Sequence, residues 1–401
     1  MKIYPRYQPD IQLSDFCATL SSYLTPLNRL RLENDILSFW QHREHVTISF
    51  SVRTAFDSLL TAMDYPENSE ILMSAINIKD MVQIVESHHL KVVPVDLQIQ
   101  DMSVLPQHLE AALSANTKVF VFAQLYGTII DLKPIADLCK QRHILLIEDC
   151  AQAFCGSQYQ GSPHADISLF SFGTIKSSTA LGGAVVVART HSEIEKIERV
   201  ESGYPIKAER WFLLKTLKYL LLKLALSPVI YGLLIQLLSF LRFDSEQAIN
   251  TLAKSFPHDP LAPQIRFRPP LHLLYLLRRR LQAHDDDKFK HRGQTTRQFL
   301  NKLDESIVIP AKHAGFHSFW VVPLLTHNPK QLQNKLLQHG FDSTQAKHSQ
   351  AAIRTTETSF QPVNAAFIMD NVVYLPTLTE IGQADRDRLA KLLNEYFTED
   401  L

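Results

Sequence analysis

Between residues 45 and 190 the chain alternates short β-branched apolar runs with stretches of helical period. The runs are ILMSA (71–75), KVVPVD (91–96), VFVFAQ (119–124), ILLIED (144–149), ISLFSF (167–172) and AVVVAR (184–189). Amphipathic segments between them predict helices over Met81 to His88, Leu105 to Ser114 and Leu132 to Gln141. Strands that read as continuous apolar runs are buried on both faces, so the pattern predicts an α/β layer with a mainly parallel sheet. Ligands of such sheets bind beyond the carboxyl ends of the strands, which directs attention to the residues closing the runs: Asn77, Gln124, Asp149 and Ser171.

After Arg210 the pattern changes. Residues 211–243 are dominated by leucine, with Lys215, Lys218 and Lys223 among them, and LALSPVIYGLLIQLLSFL (224–241) holds no charge. Eighteen uncharged positions suit a short membrane span, but Pro228 and Gly232 interrupt them. Catalytic sequence precedes and follows this segment, so a single crossing is excluded and a monotopic or re-entrant helical insertion is expected, with peripheral contact at the inner membrane. Arg266, Arg268 and Arg278 to Arg280 add cationic anchors for an anionic leaflet. LHLLYLLRRRLQ then reads as a basic helix. The last hundred residues return to α/β character: a strand FWVVPLL (319–325), a helix over Pro329 to His339, a strand NVVYLP (371–376) and a closing helix from Ala384 to Phe397. The expected organisation is an N-terminal segment (1–45), a large domain (46–210), an apolar helical insertion (211–262) and a small C-terminal α/β domain (263–401).

Length and charge narrow the function. The 401 residues suffice for two or three domains, and 41 basic residues against 41 acidic ones leave no net charge for holding nucleic acid. Cys17, Cys139, Cys150 and Cys155 lack CxxC spacing, and the histidines share no ligand spacing, so neither a metal site nor a disulfide framework is expected. The N-terminus has no apolar core for export, which fits a cytoplasmic protein.

The candidate chemistry lies in LLIEDCAQAFCG (145–156) and SLFSFGTIKSSTALGGAVVV (168–187). An acid closing a buried strand, Asp149, is costly to ionise unless a cation meets it, and a protonated pyridine nitrogen is such a partner. Lys176 lies in a small-residue loop before Gly182 and Gly183, where desolvation favours a neutral, nucleophilic amine. Together they meet the minimum that pyridoxal 5'-phosphate imposes: a Schiff-base lysine and an acid that keeps the ring nitrogen protonated. Each residue alone would read as a turn cap or a solvated loop lysine.

At these motifs the sequence resembles the DegT/DnrJ/EryC1/StrS family of pyridoxal-phosphate-dependent sugar aminotransferases, of aspartate-aminotransferase fold type I. The resemblance rests on LYGTIIDLKPIADLCKQRHILLIEDCAQ, on FSF-x-x-x-K with Gly-Gly after it, and on LPTLTEIGQADRDRLAKLL. It implies that Lys176 carries the cofactor, Asp149 pairs with the pyridine nitrogen and Gln152 lies near the ring hydroxyl. Ser171 and the Arg53-Thr54 turn would bind the phosphate, helped by the helix N-terminus there. Asn77 stands where an aromatic residue often stacks on the ring, and Gln124 where a histidine is common. RFRPP (266–270) replaces the Gly-x-Asn-x-Arg segment that reaches the partner subunit's site. The implied activity is transfer of an amino group from an amino acid donor to a keto-sugar or related activated glycan precursor, in a homodimer. Elimination or dehydration on the same scaffold, and a non-catalytic membrane-associated homologue, are the alternative readings.

Overall fold

The computed structural model describes residues 2–40, 43, 45–240, 260–345, 350–353 and 361–399. Thirteen strands are found among them: β1 (His45–Ser49), β2 (Glu70–Ser74), β3 (Ile76–Asn77), β4 (Lys91–Val95), β5 (Thr117–Ala123), β6 (Thr128–Ile129), β7 (Leu145–Asp149), β8 (Ile167–Ser171), β9 (Ala184–Ala188), β10 (Phe316–His317), β11 (Pro323–Leu325), β12 (Ala351–Ala352) and β13 (Val372–Tyr374). Seven form one sheet, in the order β1-β9-β8-β7-β5-β2-β4. Strands β4, β2, β5, β7 and β8 run parallel, and β9 is antiparallel to both β8 and β1. This is the expected α/β architecture.

The continuous apolar runs are explained by the two faces they serve. Ile71, Met73, Val119, Val121 and Ile147 enter one core, while Leu72, Phe120, Phe122 and Leu146 enter the other. Every alternate side chain is thus buried, one face at a time. The first helices are α1 (Leu13–Ser22), α2 (Arg29–Leu37), α3 (Val52–Met63), α4 (Lys79–Ser87), α5 (Pro106–Ala112), α6 (Lys133–Gln141) and α7 (His191–Ser202). Helices α4, α5 and α6 are the three that the periodicity predicts, with ends shifted by one or two residues.

Strand direction gathers one edge of the sheet into a site. Because β9 is antiparallel to its neighbours, β1 ends at the same edge as β7 and β8, with Ser49 opposite Ala184 and Ala184 opposite Ser171. The start of α3, the end of β7 and the loop from β8 to β9 therefore meet. Gly183 makes the turn into β9 at φ +87°, donating to the Phe50 carbonyl, and a Cβ there would press on Leu273 and Leu277.

The C-terminal third reaches this edge through two small ribbons. Phe316 and His317 pair with Ile129 and Thr128, and Ala351 and Ala352 pair with Asn77 and Ile76. The expected strand over 319–325 is a correction: only Pro323–Leu325 is extended, against β13. Phe319 turns at φ +51°, and the backbone there passes so close to Gly127 that only a residue without a Cβ fits opposite it. A Cβ on Gly127 would lie 2.6 Å from Ser318 Oγ and 2.7 Å from Trp320 N.

The leucine-rich segment forms α8 (Glu209–Ala225) and α9 (Pro228–Phe240). Among the described residues no single helix is long and apolar enough to cross a membrane, although α8 with Pro228–Leu238 is apolar enough as a pair bent by 90°. The remainder of the expected insertion, 241–259, lies outside the described residues. The N-terminal segment packs on the later helix Leu271–Gln282, where Asp15 accepts from Arg279 at 2.8 Å and Arg280 at 2.6 Å.

Candidate active site

Asp149 ends β7 with its side chain 7% exposed. Its Oδ1 accepts the Ala151 amide at 2.9 Å, and Oδ2 accepts from none of the described residues. Burial raises its pKa, while the Ala151 amide and the charges of Lys176 and Arg53 pull against that rise. The next residue back, Glu148, points to the opposite face, where Tyr159, Ser162, Ser168 and Gln124 satisfy it. Of two consecutive buried acids, one is fully hydrogen-bonded by protein and the other keeps an oxygen for a donor from elsewhere.

Lys176 leaves the loop after β8, its amide donating to the Gly173 carbonyl at 3.1 Å. Its Nζ lies 4.7 Å from the centre of the Trp320 ring and forms no contact ion pair with Asp149. Burial pushes its pKa down to about 8, with Asp149 opposing and Arg53 adding to the shift. The amine therefore gives up its proton more readily than an exposed lysine does, and it lies within electrostatic reach of the acid but apart from it.

Arg53, in the first turn of α3, influences both groups and is itself fixed by Asp80 at 2.5 Å. Ser51 caps α3 by accepting the Thr54 amide at 3.1 Å, and the Thr54 hydroxyl donates to the Ile265 carbonyl at 2.7 Å. Thr54 is fully buried with both donors engaged, so of the predicted pair only Arg53 faces the site. Ser171, half-buried, holds its Oγ 3.4 Å from the Gly173 amide, where the hydroxyl proton is available to an anion. Asn77 is 5% exposed; its Oδ1 accepts the Ile78 amide and its Nδ2 is buried without a partner among the described residues. Gln152 accepts the Tyr126 amide at 2.8 Å, and Tyr126, at φ +60°, is buried against Tyr374. Gln124 does not face the site: Ile130 and Glu148 occupy its amide.

Three contributors escaped the sequence reading. Trp320 donates from Nε1 to the Ile175 carbonyl at 3.1 Å and walls the lysine. Arg292 donates to Ser318 O at 2.7 Å and Ser177 Oγ at 3.2 Å, tying the C-terminal segment to the lysine loop. Lys215 of α8 comes within electrostatic reach of Arg53. Trp320 and Arg292 sit in segments remote in sequence from the motif, and Lys215 reads as one lysine among leucines. RFRPP is anchored within its own chain, since Arg266 grips Asp57 of α3 through two bonds of 2.8 and 3.0 Å.

Residues 21–210 match the DegT/DnrJ/EryC1/StrS aminotransferase family. GDP-perosamine synthase of Escherichia coli O157:H7 is 26% identical over 195 residues, which make up 47% of this chain and 53% of that protein. The chain spans about half the length of the curated relatives it matches. Across the whole fold it is similar to Helicobacter pylori PseC, an aminotransferase involved in the biosynthesis of pseudoaminic acid (TM-score 0.71, 17% identity, 99% of this chain and 100% of that one). A Streptococcus pneumoniae protein in its PLP form is similar too (TM-score 0.69, 16% identity, 100% of both chains). The seven-stranded sheet and the motif residues Asp149 and Lys176 lie within that match, so residues 21–210 are the part of this chain that matches the DegT/DnrJ/EryC1/StrS aminotransferase family.

Proposed function

We propose that this chain is a pyridoxal 5'-phosphate-dependent aminotransferase that moves an amino group from an amino acid donor to a keto-sugar or related activated glycan precursor. The observation that carries the reading is the pairing at one sheet edge of a buried acid with an oxygen to spare and a desolvated lysine that does not touch it. A structural ion pair would bring the two into contact. A site for a cationic ring reactive at its aldehyde needs them apart.

The residues present fit that group. Asp149 Oδ2 would accept the ring N–H, Lys176 Nζ would bond to the aldehyde carbon, and Gln152 would lie near the ring hydroxyl. Ser171 and Arg53 would hold the phosphate beside the first turn of α3. The orphaned Asn77 Nδ2 supplies one further donor. When bound, the cofactor supplies an electron sink that acidifies the donor's Cα–H. The chain supplies the rest. Lys176, displaced from the aldehyde carbon by the donor's amino group, would be the neutral amine that takes the proton from the substrate Cα and returns it to that carbon across the intervening nitrogen. Asp149 remains anionic opposite the ring nitrogen, and the Trp320 indole limits water around Nζ. Thr54, inward and fully engaged, contributes by fixing α3 and not by contact.

We also propose that the enzyme is a homodimer in the cytoplasm, held at the inner face of the membrane by α8 and α9. The dimer rests on the family resemblance, and the membrane contact on the exposed leucines of those helices.

Lys176→Ala tests the central reading. The variant should fold, with unchanged far-ultraviolet circular dichroism, yet borohydride should no longer fix pyridoxal phosphate to the chain, and donor-dependent transamination should vanish. Cofactor still fixed to the variant, located by peptide mass, would move the anchor to another lysine and end the assignment.

A further inference from the structure

The loop that carries Lys176 is gripped from outside the family-matched residues 21–210. Trp320 donates to the Ile175 carbonyl and Arg292 to the Ser177 hydroxyl, both from the C-terminal third. Two further grips come from the start of the chain. The Tyr7 hydroxyl donates to the Thr174 carbonyl, and Asp10 Oδ2 accepts the Ser178 amide at 3.0 Å. They bracket Lys176, one two residues before it and the other two residues after. Tyr219 of α8 adds a hydrogen bond to the Thr174 side chain.

Ser178 shows why the loop needs holding. It stands at φ +52°, a left-handed conformation that is costly for a residue with a Cβ and persists where the surroundings over-determine it. Thr174 is 1% exposed, so water is kept from the carbonyl that Tyr7 serves. Burial raises the Tyr7 pKa well above the ordinary phenol value, and the hydroxyl keeps the proton it donates.

The same segment is fastened at its other end to α9. The Ile3 amide donates to the Pro228 carbonyl at 3.0 Å, and Ile3 packs with Leu226, Tyr231 and Ile235. Arg6 grips Asp342 through two bonds of 2.7 and 2.9 Å, and that carboxylate also accepts the Tyr231 hydroxyl at 2.5 Å. Arg6 and Tyr7 are consecutive, so the fastening on α9 and the grip on Thr174 belong to neighbouring residues.

We infer that residues 3–10 form a strap that positions Lys176 through Tyr7 and Asp10, with α9 as its anchor. Tyr7 and Asp10 act through the backbone on either side of the lysine, which makes them positioning residues. The inference rests on the aminotransferase reading for what Lys176 does. Its consequence is that the seating of α9 reaches the lysine amine.

Competitive acetylation of the full-length chain, read by peptide mass, reports the pH at which Lys176 becomes reactive, with exposed Lys330 as the internal reference. Tyr7→Phe keeps the ring and removes the grip, so the loop should admit water and the Lys176 midpoint should rise by about half a pH unit or more. Tyr231→Ala, which undoes the anchor from α9, should move the midpoint in the same direction. Should α9 fail to pack without that ring, Arg6→Gln breaks the anchor from the strap side with the same expected rise. On the cofactor-loaded protein these variants should shift the pH midpoint of the visible absorbance band and lower kcat about tenfold with the donor's KM little changed. A Lys176 midpoint unmoved in Tyr7→Phe, or in both anchor variants, would overturn the inference even if the melting temperature fell, because a merely structural strap gives that result. If the wild type takes up no cofactor the aminotransferase reading fails, whereas the acetylation midpoints still decide the strap.

Discussion

The spare oxygen of Asp149 sets what its replacement should do. Asparagine keeps the size and can still accept the Ala151 amide, but it removes the charge that holds a ring nitrogen protonated. Asp149→Asn should therefore bind cofactor, with the donor half-reaction slowed about 10²-fold or more, read by stopped-flow absorbance. A half-reaction at the wild-type rate would remove Asp149 from the proposed role. Asp149 and Lys176 were legible in the sequence because each has a local signature, an acid closing an apolar run and a lysine in a small-residue loop before Gly-Gly. Trp320 was not, because it reaches Lys176 only through a turn made 145 residues beyond Ile175, to whose carbonyl it donates. The orientation of Thr54 was not legible for a different reason: sequence places it in the first turn of α3, but only the cap and the Ile265 carbonyl reveal that it faces inward.

Elements were legible where one period ran undisturbed. The two-sided burial of β2, β5 and β7 leaves apolar runs that can be read directly, and α6 keeps its stripe from Ile135 to Cys139. The stretch 319–325 carries the same apolar signal yet is mostly a turn, packed closely on Gly127, a tertiary contact that the local pattern does not record. Packing between α7 and β1 holds another feature without a sequence signal. Glu201 is 6% exposed, with Ser49 Oγ donating to it at 2.6 Å, and burial raises its pKa to about 8 against that bond. Its folded-state pKa lies above the ordinary glutamate value, so the folded chain binds a proton that the unfolded chain has released. Stability from this group is full below about pH 4.5 and is lost as pH rises through 8. Glu201→Gln should match the parent's melting temperature near pH 5 and exceed it at pH 9, by an amount corresponding to on the order of 3 kcal/mol. A gap that does not widen with pH would mean that the carboxyl ionises freely in the folded state.

For the whole molecule the open question is what covers α8 and α9. On the side away from the active site Leu214, Leu217, Leu221 and Leu224 form a stripe along α8, and Leu221 is 68% exposed. The bend carries the apolar surface onto α9 through Val229, Leu233 and Leu237, and Phe240 is 84% exposed at its end. A patch so continuous is uncommon on a surface that meets only water, and neighbouring Arg210 and Lys218 supply cations for an anionic leaflet. One helix would then serve two surroundings, turning Trp211 to Phe50 and Tyr219 to Thr174 and its leucines to lipid. A bent pair lying in the interface satisfies both without crossing, and it leaves the domains before and after it on one side. On that basis the full-length protein should sediment with membranes at low salt, resist release by high salt and enter solution with detergent. Leu221→Glu with Leu233→Glu should move it to the supernatant while gel filtration still reports the wild-type oligomer. Intact protein in the supernatant at low salt without detergent would sink the membrane assignment, and a double variant that lost its oligomeric state instead would assign the leucines to a contact between subunits.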